Sequence, residues 1–230
     1  MKVKITGINV YVSATRVTGN FADSSRDISD MGFVIAEVTT DAGVSGIGLT
    51  YQEVGCEAIR QFIKGTIEPL VVGMSPFETE VIWEKVFNYF RGVGRKGLAF
   101  CSLSAVDIAL WDVKGKLLGL PLFRLLGGTN NQVPAYASGG WTSFSVNELI
   151  EEAEQMSSEG FKLIKVKVGV EGGNNFREDV RRMKALRKAV GPELRIAIDA
   201  NNIWKSGTAV QFAHQVEDCD IEFFGTRAGG

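Results

Sequence analysis

Strand-like and helical segments alternate through the second half of the chain, and no other feature limits the fold as much. "VPAYAS" is followed by a helical stretch holding Leu149, Ile150, Ala153 and Met156, and "KLIKVKVG" by one holding Phe176, Val180, Met183 and Leu186. "RIAIDAN" precedes a third, with Ala209, Phe212, Ala213 and Val216, and "IEFF" comes last. Asn175 followed three residues later by Glu178 has the pattern of a capping box and supports the second helix independently of its apolar face. Strands separated by whole helices cannot pair as hairpins, so the pattern predicts a parallel sheet, either doubly wound or a (β/α) barrel. Four such strands supply half of a barrel.

The first half has a different rhythm. Val3 and Ile5, then Ile8, Val10 and Val12, recur with period two; later Phe33 and Ile35 share one face of a strand while Val34, Ala36 and Val38 share the other. This is an antiparallel meander. Its last turn, "TTDAGVSGIG", spaces Gly43, Gly46 and Gly48 as a phosphate loop might, but no helix opens directly after it. Asp41-Ala42-Gly43 is ordinary turn chemistry, and the hairpin is the expected reading. The polar stretch "ATRVTGNFADSSRDISDM" between the first two strands is too long for a simple turn, which suits either a functional lid or a mobile connection. Helices are expected to begin near Glu57, Pro76 and Leu103. In the third, Leu103, Val106, Leu110, Val113 and Leu117 form one face, and Ala105 and Ala109 allow a neighbour to approach closely. The expected organisation is an α+β domain over residues 1–128, closing at the Gly/Asn-rich "LLGGTNN", and a (β/α) region over 129–230.

Composition narrows the functional classes. With 45% apolar and 23% charged residues in 230, the chain can bury a core. Its 25 basic and 27 acidic residues show no long run of either sign, so no footprint for nucleic acid or an anionic membrane is expected. The N-terminus alternates like a strand and lacks the apolar core of a signal peptide. Cys56, Cys101 and Cys219 are too widely spaced for a disulfide framework or a zinc site, which suggests a reducing, cytoplasmic setting with each thiol in or beside a core.

Alternate residues of a barrel strand face the interior, and active sites form at the C-terminal strand ends. In "KLIKVKVG", Ile164, Val166 and Val168 face the helices, leaving Lys165 and Lys167 directed into the barrel mouth. In "RIAIDAN", Ile196 and Ile198 face the helices, leaving Asp199 and Asn201 inward. Burial and a like charge next door both disfavour the ammonium form, so a lysine placed this way can serve as a base. An inward carboxylate suits a hard cation such as Mg²⁺. The alternative at this point is a solvated rim cluster in which both lysines reach water and pair with Asp199.

Together, "KLIKVKVG", "RIAIDAN", "SLSAVDIALWDVKGKLLGLPLFRLLGG" and "VPAYASGG" resemble the enolase superfamily, in its mandelate racemase and muconate lactonizing enzyme-like branch, over nearly the whole chain to about Phe224. The resemblance implies an α+β capping domain followed by the first half of a modified TIM-type barrel. It implies abstraction of the proton α to a carboxylate with Mg²⁺ stabilising the enediolate, a chemistry of acid-sugar dehydratases and racemases or epimerases. By position, Lys167 matches the catalytic base, Lys165 the lysine that helps neutralise substrate charge, and Asp199 the first metal ligand. Asn201 matches a position behind the ligands or on the substrate side. The loop from Thr15 to Met31 and the turn around Tyr51 match loops that close over substrate. The implied partner is a small carboxylate such as an acid sugar, and homo-oligomers are expected for the family. A Schiff-base aldolase using Lys165 or Lys167, and a non-catalytic self-associating chain, are the alternatives.

The sequence also departs from the family. Aligning the helix after "DANNIW" places the second metal-ligating glutamate at residue 225, which here is Gly225. Glu222 is a poor substitute, since it lies about 10 Å back along the strand and, by simple alternation, on the opposite face. The sole histidine, His214, sits inside a helix and is expected to be structural or superficial rather than an opposite-face base. "GTRAGG" reads as a frame-shifted form of Glu-Glu-Pro, because GAG GAA CCN less two bases gives GGA ACC, Gly-Thr; an added tail is the competing explanation. The expectation is that these residues supply one metal ligand of the family's three and bind Mg²⁺ weakly.

Overall fold

The computed structural model describes residues 3–51 and 55–225. The chain divides into two compact units, one formed by Met1–Arg16 with Asp30–Gln132 and the other by Val17–Ser29 with Val133–Gly230. The tail Thr226–Gly230 lies outside the described residues.

In the first unit, β1 (Ile5–Arg16), β2 (Asp30–Thr40) and β3 (Ser45–Tyr51) form an antiparallel sheet in chain order. A register shift between Ile5 and Gly7 explains why the buried positions change phase from Ile5 to Ile8. Val34, Ala36 and Val38 are fully buried and share one core with residues of α1 (Cys56–Phe62), α3 (Thr79–Tyr89) and α4 (Gly97–Leu118). Two further helices, α2 (Glu68–Val71) and α5 (Leu122–Leu125), are single turns, and a π-helical turn at Ile63–Ile67 continues α1. The spaced glycines belong to a hairpin. Gly43 takes φ 72° in its turn, and Thr40 Oγ1 donates to the Val44 carbonyl at 2.6 Å. Gly46 and Gly48 serve packing, since a Cβ on Gly48 would lie 1.9 Å from the Ala105 carbonyl oxygen and one on Gly46 2.4 Å from that of Ala109. Small residues on strand and helix therefore answer one another. Helix α4 starts at Gly97, well ahead of Leu103, and its first turns bury Ala99 and Ser102, with Ser102 Oγ donating to the Leu98 carbonyl at 2.7 Å. The glycine at its head, with φ 57°, hides this start from a propensity reading.

In the second unit, β4 (Ala137–Gly139), β5 (Leu163–Lys167), β6 (Arg195–Asp199) and β7 (Ile221–Gly225) form a parallel sheet in that order. The crossovers are α6 (Val146–Ser158), α7 (Phe176–Val190) and α8 (Ser206–Gln215). Ile164, Val166, Val168, Ile196 and Ile198 pack with Leu149, Met183, Leu186 and Phe212 in one core. The architecture is thus an α+β domain followed by part of a (β/α) barrel. Helix α6 carries the complete capping box. Ser145 Oγ accepts the Glu148 N–H at 3.3 Å, and Glu148 Oε2 accepts the Ser145 N–H at 2.7 Å. At α7 only half of the expected box forms. Asn175 Oδ1 accepts from the Glu178 N–H at 3.3 Å, while the Glu178 carboxylate turns to Arg181 at 2.6 Å.

Candidate active site

The last residues of two adjacent parallel strands supply the site. Lys165 and Lys167 alternate with the buried Ile164 and Val166 on β5, and the register sets Lys167 beside Asp199 on β6. Lys167 Nζ donates to Asp199 Oδ2 at 2.8 Å and Lys165 Nζ to the same oxygen at 3.2 Å. Asp199 Oδ1 accepts the Asn201 N–H at 2.9 Å. The three side chains retain only 11% to 18% exposure, too little for a solvated rim. Burial pushes the Asp199 carboxyl up, but hydrogen bonds from Lys167, Asn201 and Lys165 outweigh it and hold the group below its ordinary value. Lys165 also lies 5.5 Å over the Tyr136 ring, which in turn meets Phe223 edge-on at 5.8 Å.

The remaining expected residues are placed less uniformly. Asn201 follows β6 with φ 46°, and its side-chain oxygen is buried without a hydrogen-bond partner. Tyr51 belongs to the first unit, where its ring meets Phe33 at 5.8 Å. His214 is exposed on α8. Gly225 pairs with Asp199, and a Cβ built on it would lie 3.5 Å from both Cβ and Cγ of that aspartate. A side chain at 225 would therefore begin beside the Asp199 carboxyl. Simple alternation does not hold at Glu222. Ile221 pairs with Ile196 and Phe224 with Ile198, so β7 holds an extra residue and simple parity fails across it. Glu222 is engaged at the far end of the strand by Arg195 at 3.0 Å, and distance alone removes it from the site.

Two charged residues escaped the sequence reading. Asp179 and Arg182 of α7 are 0% and 1% exposed. Asp179 Oδ1 accepts the Gly169 N–H at 2.9 Å and both its oxygens accept that of Val170 at 3.3 Å. Burial pushes this carboxyl up to about 6, against the two N–H groups and the Arg182 charge. Arg182 Nη2 donates to the Trp141 carbonyl at 2.8 Å and Nη1 to that of Phe144. Their signal was present in the sequence, since Asp179 precedes Met183 by four residues and so falls on the apolar stripe. The 17–29 loop is docked rather than loose within the second unit. Thr142 N–H donates to the Ala22 carbonyl at 2.9 Å, Ser143 Oγ to that of Asn20 at 2.6 Å, and Ser24 Oγ to that of Ala200 at 2.7 Å.

Comparison with known proteins decides the family. Residues 7–127 match the model of the mandelate racemase/muconate lactonizing enzyme N-terminal domain, and residues 148–224 match the enolase C-terminal domain-like model. The chain belongs to the mandelate racemase/muconate lactonizing enzyme family. It is 36% identical over 228 residues to arabinonate dehydratase of Saccharolobus solfataricus, covering 97% of this chain and 58% of that protein. It is 32% identical over 198 residues to L-talarate/galactarate dehydratase of Salmonella typhimurium, covering 85% and 49%. A racemase from Streptomyces coelicolor solved with bound magnesium superposes with a TM-score of 0.90 at 29% identity, over 96% of this chain and 61% of the other. The chain therefore spans about half to three fifths of the length of these relatives.

A magnesium ion favours about six oxygen ligands. Around Asp199, both carboxylate oxygens already accept hydrogen bonds, and the buried Asn201 side-chain oxygen two residues on has no hydrogen-bond partner. Among the described residues no three of His, Cys, Asp and Glu come together. Position 225 is in register to add a carboxylate, and glycine supplies none. Among the described residues, the donor set does not make up a magnesium site by itself.

Proposed function

We propose that the chain carries the proton-abstracting part of a family site acting on small carboxylates, acid sugars in the first place, with residues 1–128 as capping domain and 129–230 as the first half of the barrel. The observation that carries the reading is the pairing of two lysines with one carboxylate at the ends of adjoining parallel strands. A base needs a lone pair. Because Asp199 has two cationic partners, Lys167 can give up a proton while Lys165 still covers the carboxylate charge. Neutral Lys167 then takes the α-proton and becomes an ammonium again, the C–H pair moves into the substrate carboxylate as an enediolate, and Lys165 and Lys167 together offset Asp199 and the new negative charge. Expulsion of a β-hydroxyl would complete a dehydration, and reprotonation on the opposite face a racemisation. Both begin with the same step, so the residues here serve either.

We further infer that Mg²⁺ assists this step in the family and that the present residues hold it weakly. Calorimetric titration of the 230-residue chain is expected to show no tight stoichiometric magnesium site; a tight one overturns the inference. The reaction itself is tested by joining residues 1–224 to the remaining length of arabinonate dehydratase. Exchange of the α-proton of acid sugars is then followed by NMR in deuterated water. Exchange that disappears in Lys167→Met supports the reading, and exchange that survives it sinks the assignment of the base.

A further inference from the structure

We propose that Asp179 and Arg182 are positioning residues, which together hold the turn after Lys167 and the segment on which the 17–29 loop is seated. They project from one face of α7, three residues apart, and are almost wholly buried. Each side chain ends on backbone rather than on another side chain. Asp179 collects the N–H groups of Gly169 and Val170, directly after the strand that bears the lysines. Arg182 spreads its two terminal nitrogens over the carbonyls of Trp141 and Phe144. A planar guanidinium can span two carbonyls in fixed geometry; a lysine offers only a point donor.

The residues between those two carbonyls hold the loop. Thr142 donates through its N–H to Ala22 at 2.9 Å and through Oγ1 to Asp23 at 2.9 Å. Ser143 Oγ accepts the Ala22 N–H at 3.1 Å. Trp141 and Phe144 flank the Phe21 ring at centroid distances of 5.4 Å and 6.0 Å. The Lys167 N–H donates to the Gly140 carbonyl at 2.9 Å, which couples the same segment to β5. Gly169 completes the seat, since a Cβ there would stand 2.6 Å from that of Ser24. One helix thus sets the backbone on both sides of the loop. Its bearing on catalysis rests on the reading of Lys167 as base; its bearing on the loop does not.

Amide hydrogen exchange on the intact chain tests the proposal without requiring turnover. Arg182→Met should speed exchange at Ala22 and Thr142 at least tenfold while Val166 and Ile198, in the middle of the sheet, change less than twofold. Arg182→Lys, which keeps the charge and folds more readily, should give an intermediate rise of about threefold at the same amides. Asp179→Leu should release Gly169 and Val170, and Asp179→Asn, which keeps an acceptor oxygen, should restore most of their protection. A uniform rise across the sheet would reduce both residues to general stabilisers. No rise at Ala22 and Thr142 in Arg182→Lys, or no rescue by Asp179→Asn, would equally overturn the proposal. Proton exchange in the fused protein that survives Lys167→Met, with these results intact, would sink the catalytic reading alone.

Discussion

The two charged clusters of the second unit, on the two sides of the β5 strand, handle burial in opposite ways. Around Asp199, two lysines share one carboxylate, and each ammonium keeps donors to spare beside a partly open surface. Around Asp179 and Arg182, the charges are closed off and their partners are backbone groups. The first cluster has a surplus positive charge, as a site for an anion requires. The second commits the Asp179 oxygens and both terminal nitrogens of Arg182 to loop backbone, as a strut requires, leaving only Arg182 Nε buried without a partner. The carboxyls diverge accordingly. Asp199 is held below its ordinary value by its lysines despite burial, and Asp179 is pushed up to about 6 because burial prevails.

The largest effect expected to break this contrast comes from Arg182→Met. It takes the Arg182 donor from the Phe144 carbonyl, leaves the Trp141 carbonyl with the Phe144 N–H alone and removes the cation beside Asp179, and should cost about 3–5 kcal/mol in urea unfolding. A loss comparable to that of a surface arginine would erase the distinction. Next comes pH. The native fold binds a proton on Asp179 more tightly than the unfolded chain does. That stability is fully present below about 3.9, the ordinary aspartate value, and is lost as pH rises through about 6. Relative to Asp179→Asn, the wild type should therefore gain about 2 kcal/mol between pH 7 and pH 4 in parallel urea melts. Asp199 has the reverse sign, its contribution vanishing only as pH falls below its lowered value, so it stays silent over most of that window.

Smaller again is the expected effect of Gly225→Glu. Placed beside Asp199, the new carboxylate should tighten magnesium binding about tenfold, or about 1.4 kcal/mol, in calorimetry. No change would show that the strand register does not bring residue 225 to the site. The smallest effect is assigned to Lys165→Met. Lys167 remains on Asp199 at 2.8 Å, so stability should shift by less than about 1 kcal/mol in the same melts. A loss as large as that of Arg182→Met would mean that the open cluster has no surplus charge.

The open cluster was legible in the sequence, and the strut only in part. "KLIKVKVG" and "RIAIDAN" disclose their faces because strand side chains alternate by local geometry, so Lys165, Lys167 and Asp199 could be assigned to one side before any contact was seen. Asp179 falls on the apolar stripe of its helix, a partial sign of burial, while Arg182 reads as part of the polar half. Only the loops folded over them reveal what the two residues bind. The start of α4 was masked by Gly97, and the capping box at Ser145 lay unremarked in "SVNE" although its chemistry is local. Parity on β7 failed because a register irregularity is a property of two paired strands.

From the sequence alone came the meander, the alternation of strands with helices, and the direction of the lysines, all products of neighbouring residues along one backbone. Tertiary structure decided that Lys167 stands opposite Asp199, that Gly225 stands beside it, and that the 17–29 loop is seated on residues 141–144. Those are pairings between segments far apart in the chain, and they are set by register and burial rather than by local preference.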